Sequence, residues 1–314
     1  MRLPLPLVVA LLACLASPAR ATNVDYNDSA RFLNDSGRLF RFDYANDFFV
    51  GTDIYYTQGL GATYFDPALK KAPLMPLLAG LPGAERSYGL GLRHTGYTPT
   101  SLAHDETLRG DRPFAAYFML SHLLVSKDAA RELTLTTRLD TGILGQGAGG
   151  KWIQNSLHRA LRNLRPHGWD NQIRNDLVLD YAARLEKGLA RWNWAALGVY
   201  GDATAGTLYD NAALGLSGEL GQVDSARRKR LVAFGRVEER AVGYDATMQG
   251  GLLNRHSPYT LPDGQIMRTV ARVDVGLSLD LGGWALEFTR TFLSREIRAG
   301  RSHQWAELSF LKRF

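Results

Sequence analysis

The chain of 314 residues holds a single cysteine, Cys14, and that residue lies in an apolar run from Leu3 to Leu15. Met1-Arg2 before the run and Ala19-Arg20-Ala21 after it supply the positive n-region, short h-region and small-residue cleavage site of a secretory signal peptide over residues 1–21. Its removal leaves 22–314 without a thiol, which excludes disulfides, cysteine nucleophiles and cysteine metal sites. The run is too short to span a bilayer, which takes roughly 20 apolar residues. No apolar run of that length follows, so a helical membrane anchor is excluded. A G-x-S-x-G elbow and an H-E-x-x-H pair are also missing, which argues against a serine nucleophile of that kind and against a zincin. No Pro/Ser-rich linker divides the chain, and a single domain over 22–314 is expected. The formal net charge of +6 is spread along the sequence and implies no nucleic-acid partner. Its one dense run, Arg227-Arg228-Lys229-Arg230, reads as a solvated turn or as an anchor for anionic head groups.

What the chain does have is alternation. Leu133, Leu135, Thr137 and Leu139 oppose Thr134, Thr136, Arg138 and Asp140, and Val273 through Leu281 oppose Asp274, Gly276, Ser278 and Asp280. Segments of this kind, punctuated by Gly, Asn, Asp or Pro, are expected near 38–46, 55–65, 87–97, 113–126, 131–143, 175–189, 192–206, 211–221, 229–241, 268–282, 284–297 and 303–314. A soluble sandwich would point the apolar face at its core, whereas an outer-membrane barrel would point it at lipid. An even strand count of about twelve favours the barrel. So do aromatic residues near segment ends, Tyr55-Tyr56, Trp192 with Trp194, Trp284 and Trp305, which suit interfacial girdles. The terminal Phe314 points the same way. The expected fold class is an all-β, antiparallel outer-membrane barrel with one short helical insertion near 150–164.

Three clusters stand out from this background. Tyr44 to Gly59 concentrates Asn46, Asp47, Asp53 and Thr57, oxygen donors suited to a hard cation such as calcium. The same residues also make an ordinary Asx-rich turn that caps its own backbone. Gly110-Asp111-Arg112-Pro113-Phe114-Ala115 forms the second, with Asp111 and Arg112 expected as a buried ion pair fixing a loop to the rim. The third is the helical insertion, where Gln154, His158 and Leu161 recur at spacings of four and three and so share a face. Gly145-Gln146-Gly147-Ala148-Gly149-Gly150 before it would let the backbone turn inward from the wall. His158 is either packed or a candidate general base, since imidazole titrates near neutrality.

Asn46-Asp47, Asp53-Ile54-Tyr55-Tyr56-Thr57-Gln58-Gly59, Tyr97-Thr98-Pro99, Gly110-Asp111-Arg112-Pro113-Phe114-Ala115, Gly149-Gly150-x-x-x-Gln154-Asn155-x-x-His158-Arg159 and Trp169-x-x-Gln172 occur in one order that resembles the LpxR family of lipid A 3'-O-deacylases. The resemblance implies a twelve-stranded outer-membrane barrel whose active site opens sideways near the outer leaflet, with lipid A or lipopolysaccharide as substrate and outer-membrane lipids around it. The sequence leaves the oligomeric state open, with a monomer expected. It implies calcium-dependent hydrolysis of the 3'-linked acyloxyacyl ester. His158 would be the base, Asp47 would help hold Ca2+, and Asn46 and Thr57 would complete the pocket. Six residues past the histidine, where the family carries a glutamate, this chain has Leu164. Asp53 and Asp170 are the carboxylates that could substitute. A phospholipase or other acyl esterase on the same barrel, and a non-catalytic pore or adhesin, are the alternative functions.

Overall fold

The computed structural model describes residues 28–33, 37–52, 54–103, 105–161, 166–223 and 229–314. The expected signal peptide lies outside them. Twelve strands form a closed antiparallel barrel in which each strand pairs with its sequence neighbours and β1 pairs with β12. They are β1 (Leu39–Asn46), β2 (Tyr55–Phe65), β3 (Glu85–Thr98), β4 (Ala115–Asp128), β5 (Leu133–Leu144), β6 (Asp176–Arg191), β7 (Ala195–Gly206), β8 (Tyr209–Gly221), β9 (Arg230–Asp245), β10 (Thr269–Asp280), β11 (Trp284–Leu293) and β12 (His303–Arg313). The helical insertion is α1 (Gly150–Leu161). Of the expected range 150–164, residues 162–164 lie outside the described ones.

The exposure pattern decides between sandwich and barrel. On β10, Val275, Leu277 and Leu279 are exposed while Asp274, Ser278 and Asp280 are buried. Leu177, Leu185, Leu214, Leu216, Phe288 and Leu308 are likewise exposed, so the apolar rows point outward to lipid and the polar rows point into the lumen. The start of β1 and the end of β12 sit at the end that carries connections 66–84, 129–132, 192–194, 222–229 and 281–283. The opposite end carries 47–54, 99–114, 145–175, 207–208, 246–268 and 294–302. Its longer loops make it the extracellular end.

Side chains pack the lumen toward its extracellular end, while the opposite end holds an open cavity of about 850 Å³ lined in part by Glu186, Phe234 and Asp280. Inside the barrel Arg41 pairs with Asp43 at 2.6 Å and Glu287 at 2.9 Å, and Arg240 pairs with Asp202 at 2.8 Å and Glu238 at 2.9 Å. Each of these four carboxylates and two guanidinium groups has an opposite partner, as a low-dielectric interior favours. Toward the extracellular end an apolar cluster takes over, containing Tyr56, Tyr97, Tyr117, Tyr209 and Trp305. This corrects the expected girdle. Tyr55, Tyr56 and Trp305 are buried; Tyr56 and Trp305 fall in the inward rows and stack at 4.4 Å inside the barrel, while Tyr55, at φ +65°, is turned against His303. Trp192 and Trp194, stacked at 6.0 Å, and Trp284 do face outward at the strand ends. In the basic run, Arg227 and Arg228 lie outside the described residues, and Arg230 pairs with Asp280 at 2.9 Å.

Candidate active site on the outer wall

The helix does not turn into the lumen. On β3 and β4, Leu92 pairs with Leu120 and His94 with Phe118, and exposed Leu92 and Phe118 mark this as the lipid-facing row. His94, Gln58 opposite Gly96 on β2, and Ala116 opposite Gly96 on β4 belong to the same outward rows, yet all three are buried. α1 and the loop that follows it cover them from outside. The expected inward turn is therefore wrong. Gly145, at φ +98°, reverses the chain so closely against Arg174 that a Cβ there would lie 2.6 Å from its carbonyl, and the chain then folds back over the outer surface.

Small wall residues admit the helix. A Cβ on Gly150 would lie 2.5 Å from the Cβ of Ala116 on β4 and 2.6 Å from the Trp169 ring. One turn on, Gln154 is buried and its Nε2 donates to Thr57 Oγ1 at 2.8 Å. Its Oε1 accepts from Trp169 Nε1 at 2.6 Å. Thr57 lies where the β2–β3 register shifts between Tyr56 and Gln58; such a bulge re-aims a side chain out of the regular alternation. α1 thus crosses the wall from β4 toward β2. His158, the next residue on the buried face at i+4, is carried one turn further in that direction and is also buried. Trp152, on the opposite face, is 73% exposed. The side chain of Leu161 lies outside the described residues.

The β1–β2 connection forms the neighbouring edge. Asn46 Oδ1 accepts from Phe48 N at 2.7 Å and its Nδ2 donates to Tyr44 Oη at 3.2 Å. Asp47 is buried and its Oδ2 accepts from Ile54 N at 2.6 Å. Both side chains therefore cap their own loop, the Asx-turn chemistry expected of such a segment. Asp53 and Leu164 lie outside the described residues. Asp170 is exposed and pairs with Lys151 at 2.6 Å, beside the N-terminus of α1, away from His158. Among the described residues no three His, Cys, Asp or Glu groups gather as metal ligands.

Arg112 departs from expectation. Its carboxylate partner is Glu296, at 2.6 Å, while Asp111 accepts from the Thr100 N–H at 2.8 Å and from its hydroxyl at 2.5 Å. Burial and the nearby Asp245 push the Glu296 carboxyl up to about 7 despite the opposing pull of Arg112. Sequence reasoning missed His94 as an outer-wall residue and the Gln154–Trp169 contact. The signal for His94 was present in its strand register, where a histidine interrupts an apolar row.

The model of the family described as outer membrane protein LpxR matches residues 7–314. Among solved structures, LpxR from Salmonella typhimurium superposes with a TM-score of 0.72 at 20% identity, covering 88% of this chain and 100% of that one. The β domain of the Bordetella autotransporter BrkA gives a TM-score of 0.47 at 12% identity, covering 89% of this chain and 100% of that one. No curated protein sequence matches. With the family model matching nearly the whole chain and the closed barrel facing lipid, the chain belongs to the LpxR family of outer membrane proteins and resides in the bacterial outer membrane.

Proposed function

We propose that the protein is a lipid A 3'-O-deacylase with His158 as general base. The observation that carries this reading is the placement of α1. Gln154 and His158 are buried between the helix and the lipid-facing side of the wall, where an outer-leaflet lipid has access and a lumenal solute has none. The aromatic cluster that fills the extracellular end of the lumen argues against a pore.

In the proposed reaction the His158 imidazole takes a proton from water as the water oxygen attacks the ester carbonyl carbon. Collapse of the tetrahedral intermediate breaks the bond from that carbon to the sugar 3'-oxygen, and the departing oxygen takes the proton back. The products are the free acyloxyacyl acid and lipid A with a 3'-hydroxyl. Thr57 Oγ1 accepts from Gln154, so its own O–H remains to donate to the developing oxyanion. One N–H of the Asn46 amide remains for the same purpose. Such preset donors lower the barrier because they need no reorganisation.

Calcium fits the described donors incompletely. Asp47 supplies one carboxylate, with Oδ2 engaged by Ile54 N, and no second acidic group joins it among the described residues. Calcium takes 6–8 oxygen ligands. We assign the cation no step and retain calcium dependence as an expectation, centred on Asp47.

Mass spectrometry of lipid A incubated with purified protein tests the reading. Loss of the 3'-acyloxyacyl mass is expected for the wild type and not for His158→Ala. Unchanged lipid A with folded wild-type protein, with and without added Ca2+, would overturn it. Release of acyl chains from phospholipid alone would support the esterase alternative.

A further inference from the structure

We propose that Arg112, inside the barrel mouth, is a positioning residue for the site on the outer wall, acting through the β3–β4 connection. The inference rests on the proposed location of the site, and its test does not need the proposed activity.

The β3–β4 connection passes over the rim, and two of its side chains grip opposite faces of the wall. Arg112 is buried on the lumenal side. Its Nη1 donates to Glu296 Oε2 at 2.6 Å, its Nη2 donates to Thr247 Oγ1 at 2.7 Å, and its guanidinium lies 4.0 Å over the Tyr97 ring. One arginine thereby ties three extracellular connections together. Two residues on, Phe114 packs with Ala116, Ala148 and Trp169 in the cluster beneath α1, its ring 5.0 Å from that of Trp169. Trp169 in turn donates to Gln154, and Gln154 to Thr57. Pro113 stands between Arg112 and Phe114, and its ring fixes φ, so the two grips cannot swivel independently at that bond.

Further bonds bind the same connection to the segment after α1. His167 N donates to Leu102 O at 2.8 Å, Asn171 Nδ2 to Asp105 O at 2.8 Å, and Ile173 N to Phe114 O at 2.9 Å. Asp111 closes the base of the loop through Thr100, and Tyr259 Oη accepts from Gly110 N at 2.6 Å. α1 itself is held to β2 by the single Gln154–Thr57 bond among these contacts. Its support on the C-terminal side is therefore set largely by a loop whose own anchor is Arg112. Lysine cannot replace that anchor, because it lacks the planar fork that serves Glu296 and Thr247 together while stacking on Tyr97.

The chain beyond Cys14 has no cysteine, so spin labels can be placed at Trp152→Cys on α1 and at the lipid-facing Leu214→Cys on β8. Pulsed electron resonance on folded protein in detergent would give one narrow distance distribution in the otherwise unchanged chain. In Arg112→Lys it is expected to broaden at least twofold, while heat-modifiable migration still reports a closed barrel. Pro113→Gly keeps the Arg112 contacts and loosens only the link; it is expected to broaden the distribution as well. Deacylation in either variant is expected to fall about 10- to 100-fold, the usual result of displacing catalytic groups by about 1 Å. A distribution as narrow as the parent's in folded Arg112→Lys, or in Pro113→Gly should the lysine variant fail to fold, overturns the proposal. Parent protein inactive on lipid A overturns the proposed function instead, and the distance measurement still decides this inference.

Discussion

Gln154→Leu should detach α1 from the barrel without unfolding the barrel. Leucine has nearly the volume of glutamine, so the packing changes little. What changes is that Thr57 Oγ1 loses its donor at 2.8 Å and Trp169 Nε1 its acceptor at 2.6 Å, both in buried residues. Each buried polar group left unmade costs about 1–3 kcal/mol. The added apolar burial of leucine returns roughly 1–2 kcal/mol, so two unmade groups at about 2 kcal/mol each leave a net local cost of about 2–3 kcal/mol. None of this falls on the strand ladder, since β2 keeps its pairing with β1 and β3. At about 1.4 kcal/mol per tenfold, local opening of α1 should become roughly 30- to 100-fold more frequent. Amide hydrogen exchange followed by mass spectrometry reads this directly: peptides spanning 150–161 exchange faster and strand peptides do not. Equal protection of α1 in parent and variant would refute the reasoning, as would a uniform loss of protection across the barrel.

Two further outcomes test the Arg112–Glu296 pair and the lipid-facing wall. Glu296, its carboxyl pushed up to about 7 by burial and Asp245, binds a proton more tightly folded than unfolded, where a glutamate titrates at about 4.3. Its favourable contribution is present below the unfolded value and lost as pH rises through about 7; the thermal midpoint of the parent should therefore fall between about pH 4.5 and 7 relative to Glu296→Gln, and parallel midpoints across that range would contradict the assignment. Leu214 is 73% exposed midway along β8, so Leu214→Arg should lower folding stability in bilayers by about 2–4 kcal/mol. An unchanged denaturant midpoint in vesicles would mean that this row does not face lipid.

The strands could be read from the sequence because a period of two is a local property, and β1, β2 and β12 begin and end within a residue or so of their expected bounds. Alternation also separated the two faces, as in Val275, Leu277 and Leu279 against Asp274, Ser278 and Asp280, although it left open which face met lipid. Family resemblance in residue order supplied His158, Asn46, Asp47 and Thr57 as candidates. It could not show that Asn46 and Asp47 are occupied in capping their own loop.

Direction and long-range partnership came only with the tertiary structure. Glycines at 145–150 permit a turn either way, and the outer course of α1 depends on a seat that β2, β3 and β4 build jointly from Thr57, Gln58, His94, Gly96 and Ala116. Arg112 pairs with Glu296, 184 residues away, rather than with adjacent Asp111, because closing the barrel brings β4 and β11 to the same mouth. Thus the sequence alone determined the strands and their two faces, favoured a barrel, and named a histidine on the helical insertion. Three-dimensional closure decided which side of the wall that histidine serves, since only there do residues far apart in the chain make a common surface.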